Sequence, residues 1–378
     1  MKKRRLLELT WAHLLNDGAS NYLPGVLPAV LATLHEPVKM AGVLIGALMI
    51  GQALQPLIGF WADRIGGNAL LTGGLLLSSV GGGLIGLAPS TPLMILLLIA
   101  ISLGSAMFHP QALGSLRVLL DGRQGLMTAV FLVGGELGRG VWPTVASLIV
   151  SHLGLSYLWI IGIPGVLTVP VLWRTSPRLP RASGPRNRIN WRSHTRPMLV
   201  MMSFACTRAL AVSSLVTFVP LMWHMRGGTL VGGASIITTI LVVGVLGNLG
   251  GGHLADRFGH LPVMLVSSSA SAVFMFLLVA AHGGWVWVVA CPLGVSIFLS
   301  MSGVILLGQD IFPENPSMGS GIALGLANGT GALLVLLVGL FASDHDVSIV
   351  IRVAAVLFGL AGPVMLTLPS GLQRVRSS

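Results

Sequence analysis

The chain reads as long apolar runs broken by brief polar punctuation. Residues 68–116 contain no Asp, Glu, Lys or Arg, and neither do residues 258–309. A helix needs about 20 mostly apolar residues to cross a bilayer. Each of these runs therefore predicts two spans, turning at Ala88-Pro-Ser-Thr-Pro92 in the first and at His282-Gly-Gly in the second. Residues 40–62, 227–255, 315–343 and 353–373 supply one span each. Residues 140–173 exceed one span and lend their start to a helix beginning near Gly125. Admitting helices that carry a few charges gives twelve spans: about 7–34, 39–62, 68–88, 92–118, 124–150, 154–173, 196–223, 229–255, 261–281, 285–308, 317–342 and 347–369.

The basic residues test that count. Under it, 17 of the 22 Lys and Arg fall on the side of the termini, and only Lys39 and Arg226 lie opposite. Arg139, Arg208 and Arg352 are the remainder. Cytoplasmic loops of membrane proteins carry this excess, so both termini are expected in the cytoplasm of a multi-pass inner-membrane protein. Lys2-Lys3-Arg4-Arg5 precedes the first run, which Asp17 interrupts without a small-residue cleavage site. It is read as a retained first helix. Residues 174–196 are the one long polar stretch and hold seven arginines among Pro, Gly and Ser. That composition makes a poor core. The expected organisation is a six-helix bundle over 1–173, a basic cytoplasmic linker over 174–195 and a second bundle over 196–378.

Composition agrees with lipid as the main solvent. Charged residues are 9% of the chain and hydrophobic ones 54%, with 50 glycines, whereas soluble proteins carry about 25% charge. The net charge of +11 is thus a topology signal, and no nucleic-acid partner is expected. Cys206 and Cys291 are isolated, and the histidines show no paired ligand spacing. No metal, cofactor or disulfide is expected, and no nucleophile–base arrangement or phosphate loop points to an enzyme.

One octet occurs twice, as Gly59-Phe-Trp-Ala-Asp63-Arg64-Ile-Gly66 and Gly252-His-Leu-Ala-Asp256-Arg257-Phe-Gly259. Each copy closes an apolar run at the same place in its half, the mark of an internally repeated transporter. Twelve spans in two halves, a basic central loop and Gly-x-x-x-Asp-Arg-x-Gly between spans two and three resemble the major facilitator superfamily. The likeness covers essentially the whole chain. That family usually continues the motif with basic residues, whereas Gly67-Asn68 and His260-Leu261 follow here. His13-Leu-Leu-Asn16-Asp17, Phe108-His109-Pro110, Gly122-Arg123-x-Gly125 and Phe131-x-Val-Gly-Gly135 are similar to the fosmidomycin-resistance branch, whose members are drug efflux proteins. Gly134, Gly135, Gly138, Gly140 and Pro143 loosely resemble the superfamily's antiporter motif, with Trp142 where a Gly is usual. The resemblance implies an all-α, twelve-helix fold of two pseudo-symmetric bundles. It also implies that the octets latch the halves in one state through Gly59, Asp63, Arg64, Gly66, Gly252, Asp256, Arg257 and Gly259.

Ionisable groups inside the spans carry the candidate chemistry, because a charge at a helix centre costs roughly 2.5–3.5 kcal/mol on insertion scales. Asp17 lies near mid-depth of the first span, sharing a face with His13 and Asn21 and flanked by Asn16. Glu136 and Arg139 are three apart on the fifth span, close enough to pair. Arg208 sits well inside the seventh and His109 in the fourth. Pro24 and Pro28 loosen the first span. The resemblance implies that Asp17, His109, Glu136, Arg139 and Arg208 surround one cavity. An ordinary buried network, with Glu136–Arg139 and Asp17–Arg208 neutralising each other, stands beside that reading.

The expected function is proton-coupled efflux of a drug or organic anion by alternating access. Asp17 or Glu136 takes the proton, and Arg139 and Arg208, with His109, Asn16 and Asn21, meet an anionic or polar substrate. Uptake by an anion–proton symporter is the alternative within the fold. A receptor or scaffold without turnover, acting through the 174–196 arginines, is the alternative outside it. Protons and surrounding lipids are the expected partners, and a monomer the expected state. The topology has a direct check: with Cys206 and Cys291 replaced by Ala, Ser183→Cys should react with an impermeant maleimide in inside-out vesicles and not in intact cells.

Overall fold

The computed structural model describes residues 2–119, 124–179, 191–312, 319, 321–343, 346–369 and 372. It is helical throughout, with a single isolated antiparallel bridge, Gly67 to Leu179, among the described residues. The first six predicted spans become α1 (Lys2–Asn21) with α2 (Leu23–Leu34), α3 (Met40–Ile65), α4 (Ala69–Leu84), α5 (Thr91–Leu119), α6 (Gln124–Leu153) and α7 (Trp159–Thr175). The rest become α8 (Trp191–Met225), α9 (Leu230–Phe258), α10 (His260–Ala280), α11 (Trp285–Phe298) with α12 (Met301–Ile311), a π turn (Ile322–Leu326) leading into α13 (Ala327–Gly339), and α14 (Ser348–Val364). Eight of the described helical segments are long and apolar enough to cross a membrane. Residues 180–190, at the centre of the basic linker, and Gly122 and Arg123 lie outside the described residues.

Two predicted spans are not single helices. The first stops at Asn21 and resumes at Leu23, so its break is at Tyr22 and not at Pro28, which is accommodated inside α2. Pro24 lacks the N–H that would bond Ser20 and crowds that carbonyl. The chain recovers with Gly25 N–H donating to the Tyr22 carbonyl at 3.0 Å. The tenth span breaks at Leu299 and Ser300, between α11 and α12. There α9 comes so close that a methyl on Gly251 would collide with the Leu299 backbone, and Ser267 donates to Ser300 Oγ at 3.0 Å.

The described chain packs as two compact units. One comprises Met1–Gly184 with Trp223–Thr238, the other Pro185–Met222 with Thr239–Ser378. In the first, α1 lies against α6 along a seam of glycines. A methyl on Gly134 would sit 2.5 Å from the Thr10 carbonyl oxygen, and one on Gly138 would lie 2.9 Å from Gly18 N. Gly18 in turn leaves room for the Trp142 ring, 2.6 Å from where its methyl would be. Small residues let membrane helices approach backbone to backbone, the main source of attraction where lipid is as apolar as leucine. In the second unit a serine ladder joins α10 to α11: Ser267 donates to the Ser296 carbonyl at 2.7 Å, and Ser271 to Ser296 Oγ at 3.2 Å.

The repeated octets fold alike. Each ends its helix on the closing glycine, with Gly66 N–H donating to Ala62 and Gly259 N–H to Ala255, both at 2.9 Å. Gly66 has φ 64 and ψ −156, and Gly259 has φ 88 and ψ 163. Only glycine occupies that region comfortably; other residues pay on the order of 1–3 kcal/mol there. The polar residues after the first octet also have a task. Asn68 donates to the Trp173 carbonyl at 3.0 Å. Gln111 accepts from Leu71 N–H at 2.7 Å and donates to the Gly66 carbonyl at 3.1 Å. The loop is thus tied to α5 and α7 by neutral amides where the family usually places charges.

Gly66→Ala and Gly259→Ala should each destabilise the purified protein by about 1–3 kcal/mol, read as a lower thermal midpoint. Gly138→Ala should cost a similar amount, about 1–3 kcal/mol, by overpacking the α1–α6 seam. A midpoint unchanged in Gly138→Ala would mean the seam is looser than its geometry.

Candidate functional site: a buried charge cluster on α1, α5 and α6

The glycine seam sets the geometry of the charges. Gly135, one residue before Glu136, passes so close to α1 that a methyl there would lie 2.9 Å from Asp17 Oδ2. That closeness lets α6 bring Glu136 and Arg139 up to Asp17. Arg139 is hydrogen-bonded to Glu136 through its terminal nitrogen, and its Nε lies 3.6 Å from Asp17 Oδ2. The sequence spacing predicts the Glu136–Arg139 pair, while the Asp17–Arg139 approach depends on packing between two helices.

Asp17 is the centre of the cluster. Its Oδ1 accepts from Asn16 Nδ2 at 3.1 Å and faces His109 Nε2 at 3.1 Å. Its Oδ2 faces His13 Nε2 at 3.5 Å. Every oxygen of the carboxylate therefore meets two nitrogen groups. Its side chain is only 6% exposed, against 24% for His109 and 34% for Arg139. Burying a carboxylate without partners is costly enough that the group would normally neutralise instead; here the partners surround it.

Both imidazoles are oriented from behind. His13 Nδ1 donates to the Phe131 carbonyl at 2.8 Å, and its ring stacks on Phe131 at 4.2 Å between centroids. Phe108 lies on its other neighbour side at 6.0 Å. His109 Nδ1 donates to the Ser105 carbonyl, one turn earlier on α5, at 2.8 Å. A carbonyl only accepts, so both Nδ1 atoms carry hydrogen and both Nε2 atoms are turned to Asp17. Asn16 closes the floor: it donates to Ser105 Oγ at 3.3 Å and accepts from Ser78 Oγ at 2.9 Å, joining α1, α4 and α5.

The sequence-predicted residues separate into groups. Asp17, His109, Glu136, Arg139 and Asn16 come together. Asn21 is turned onto its own helix, donating to the Asp17 carbonyl at 2.8 Å. Arg208 is buried on α8 in the second unit. In the octets, Gly59 and Gly252 lie in α3 and α9, and the side chains of Asp63, Arg64 and Asp256 lie outside the described residues. Arg257 is exposed with its guanidinium 5.2 Å from the centre of the Phe258 ring, a cation–π contact. His13, Ser105 and Ser78 were not marked as site residues. His13 had a signal, standing one turn before Asp17 on the same face; the two serines had none.

His13, Asp17 and His109 place their ligating atoms within 4.8 Å of one another. Asn16 and Arg139 already approach the same carboxylate oxygens, so the carboxylate is already taken up by donors, with two imidazoles beside it.

Comparison with known proteins gives the same frame. The sequence matches the Major Facilitator Superfamily over residues 9–337. It is 24% identical to the fosmidomycin resistance protein of Escherichia coli (strain K12), over 96% of this chain and 91% of that protein. It is 26% identical to the MFS-type transporter YfnC of Bacillus subtilis (strain 168), over 85% of this chain and 82% of that one. Among solved structures, a bacterial homologue of the human lysosomal transporter Spinster, captured inward-facing and occupied, superposes with a TM-score of 0.78 at 16% identity, covering 96% of both chains. The nucleoside transporter NupG superposes with a TM-score of 0.77 at 16% identity, covering 96% of this chain and all of that one. These matches give the twelve-helix, two-bundle fold, and a transporter family rather than an enzyme. The chain belongs to the major facilitator superfamily.

Proposed function

We propose that this protein is a proton-coupled exporter of a small anionic or polar compound, working by alternating access across the cell membrane. The observation that carries the reading is the cluster around Asp17: two carboxylates, two imidazoles and a guanidinium buried together within one unit. A purely structural pair would need only Glu136 and Arg139. Two further imidazoles aimed at one carboxylate make a network able to take up and give back a proton.

In this mechanism the bundles over 1–173 and 196–378 rock about the site, joined by the 174–195 linker. A proton entering the network weakens the hold of the carboxylates on Arg139, whose side chain is the most open of the group. The freed guanidinium then offers a two-point contact to a carboxylate, phosphate or phosphonate. Proton and anion are thereby linked through one charge balance, so that protonation of the network and occupancy of Arg139 go together. Export is favoured by the similarity to a protein named for fosmidomycin resistance. Labelled substrate moving in vesicles of known orientation distinguishes export from uptake.

In proteoliposomes, substrate-dependent proton flux should fall to that of empty vesicles in Asp17→Asn and in Glu136→Gln. Wild-type flux in both variants would reject the assignment. Arg139→Lys keeps the charge but loses the planar fork. It should weaken binding of an anionic substrate by about 10-fold, the scale of one charge-assisted hydrogen bond, measured by thermal-shift titration.

A further inference from the structure

The reading of the site as a coupling centre leaves open which atom holds the proton, and the geometry narrows it. Asp17 is a poor seat. Its oxygens already lie against obligatory donors, Asn16 Nδ2 and Arg139 Nε, which favour the ionised form. A proton on Oδ1 would lie on the line to His109 Nε2, an intrinsically more basic atom than a carboxylate oxygen. Glu136 is hydrogen-bonded to Arg139 and is held as its counter-ion. The remaining candidates are the two imidazoles, and they differ. His109 Nε2 is 3.1 Å from Asp17 Oδ1, within the range of an N–H···O bond, whereas His13 Nε2 is 3.5 Å from Oδ2, beyond it.

Hydrogen counting makes the difference chemical. Nδ1 of His109 is committed as a donor to the Ser105 carbonyl. If His109 were neutral, its Nε2 lone pair would point at a carboxylate oxygen. A hydrogen on Nε2 turns that repulsion into a charge-assisted bond. The charge balance agrees. Asp17, Glu136 and Arg139 leave one negative charge in a buried site, and one protonated imidazole cancels it. Protonating both would leave a buried excess of positive charge, which is costly. His109 is also the more accessible ring, 24% exposed against 5% for His13.

We infer that the exchangeable proton sits on His109 Nε2, bonded to Asp17, with Asp17 as a permanent counter-ion and His13 as a neutral ring. This inference rests on the proposed proton-coupled transport and names its carrier. Among the described residues, the ionisable groups beside His109 are Asp17 and His13 on α1 and Arg139 on α6, with Glu136 behind Arg139. Arg117, two turns further along α5, has its side chain outside the described residues. Helices α2 and α4 contain none. Helix α3 has only Asp63 and Arg64, in its last turn, and α7 only Arg174, in its last turn. Loss of the proton from Nε2 leaves the cluster with a net negative charge and breaks the bond to Asp17 Oδ1. Asp17 is then left to Asn16 and Arg139, so the deprotonated state pulls Arg139 away from any anionic substrate. Binding of the anion and of the proton are thereby linked: the state that frees Arg139 is the state in which His109 is charged.

The test measures protons moved per substrate in proteoliposomes, as a ratio independent of rate. A wild-type ratio of zero would sink the proposed coupling itself. Given a finite wild-type ratio, His109→Gln should bring it to background, while His13→Gln should keep it whatever becomes of the rate. A His109→Gln variant that still moves substrate with the wild-type ratio would overturn the inference and leave the transport reading standing. Wild-type protein with nitrogen-15-labelled histidine provides a second readout that needs no variant to fold, with the His109 ring assigned through its neighbours Ser105 and Asp17. That ring should keep hydrogen on Nδ1 throughout and lose hydrogen from Nε2 as the pH rises. A His109 ring that never carries, or never releases, the Nε2 hydrogen over the pH range in which the protein transports would also overturn it.

Discussion

Ionised groups among lipid-facing helices persist only by neutralising one another, and Asp17 is where that neutralisation is assembled. Its carboxylate gathers a neighbouring amide, two imidazoles and a guanidinium from three helices. The backbone arrangement serves the same end. The glycine seam between α1 and α6 sets the distance at which Arg139 reaches Asp17, and the Asn16–Ser78–Ser105 bonds fix α1 against α4 and α5. Hydrophobic packing alone would hold these helices together without choosing their rotation. Rotation is chosen by the few polar contacts, because turning α1 by one residue would carry Asp17 away from His109 and Arg139, its partners on other helices.

Much of this was legible in the residues. Apolar run length and the asymmetry of Lys and Arg predicted the spans, since lipid thickness and loop charge are constraints that act locally along the chain. The octet repeat was visible because both copies need the same backbone at Gly66 and Gly259. The Glu136–Arg139 pair was visible because it is one helical turn. The union of His109 with Asp17 had no signal in spacing and came only from the family resemblance, because those residues are brought together by packing of α1 on α5. The first span was expected to loosen at both Pro24 and Pro28; the break falls at Tyr22, just before Pro24, while Pro28 is accommodated inside α2, since a proline inside a helix is tolerated when neighbouring groups satisfy the backbone. Gln111 and Asn68 were silent too: neutral amides that satisfy a loop carry no pattern in sequence.

The octet loop shows how a family signature can keep its geometry while changing its charges. Turn conformation is enforced by Gly66, and attachment to α5 and α7 by Gln111 and Asn68. Basic side chains in that loop would contribute electrostatics and topology but are not required for the turn. The second copy reaches the same closing conformation at Gly259 and stacks Arg257 over Phe258. Similar backbone, different side-chain partners: the two octets share a turn without sharing every contact around it.

The tightness of the α1–α6 seam also bears on how such a protein diversifies. Where two backbones touch with no room for a methyl group, nearly every substitution at Gly134 or Gly138 is sterically barred, and at Gly18 or Gly135 it would displace the Trp142 ring or the His13–Asp17 pair. Natural drift towards new cargo is therefore channelled away from this seam, into positions that do not hold helices together. Relatives handling quite different compounds should keep this pair of helices nearly superimposable, and differ in the side chains that look past it.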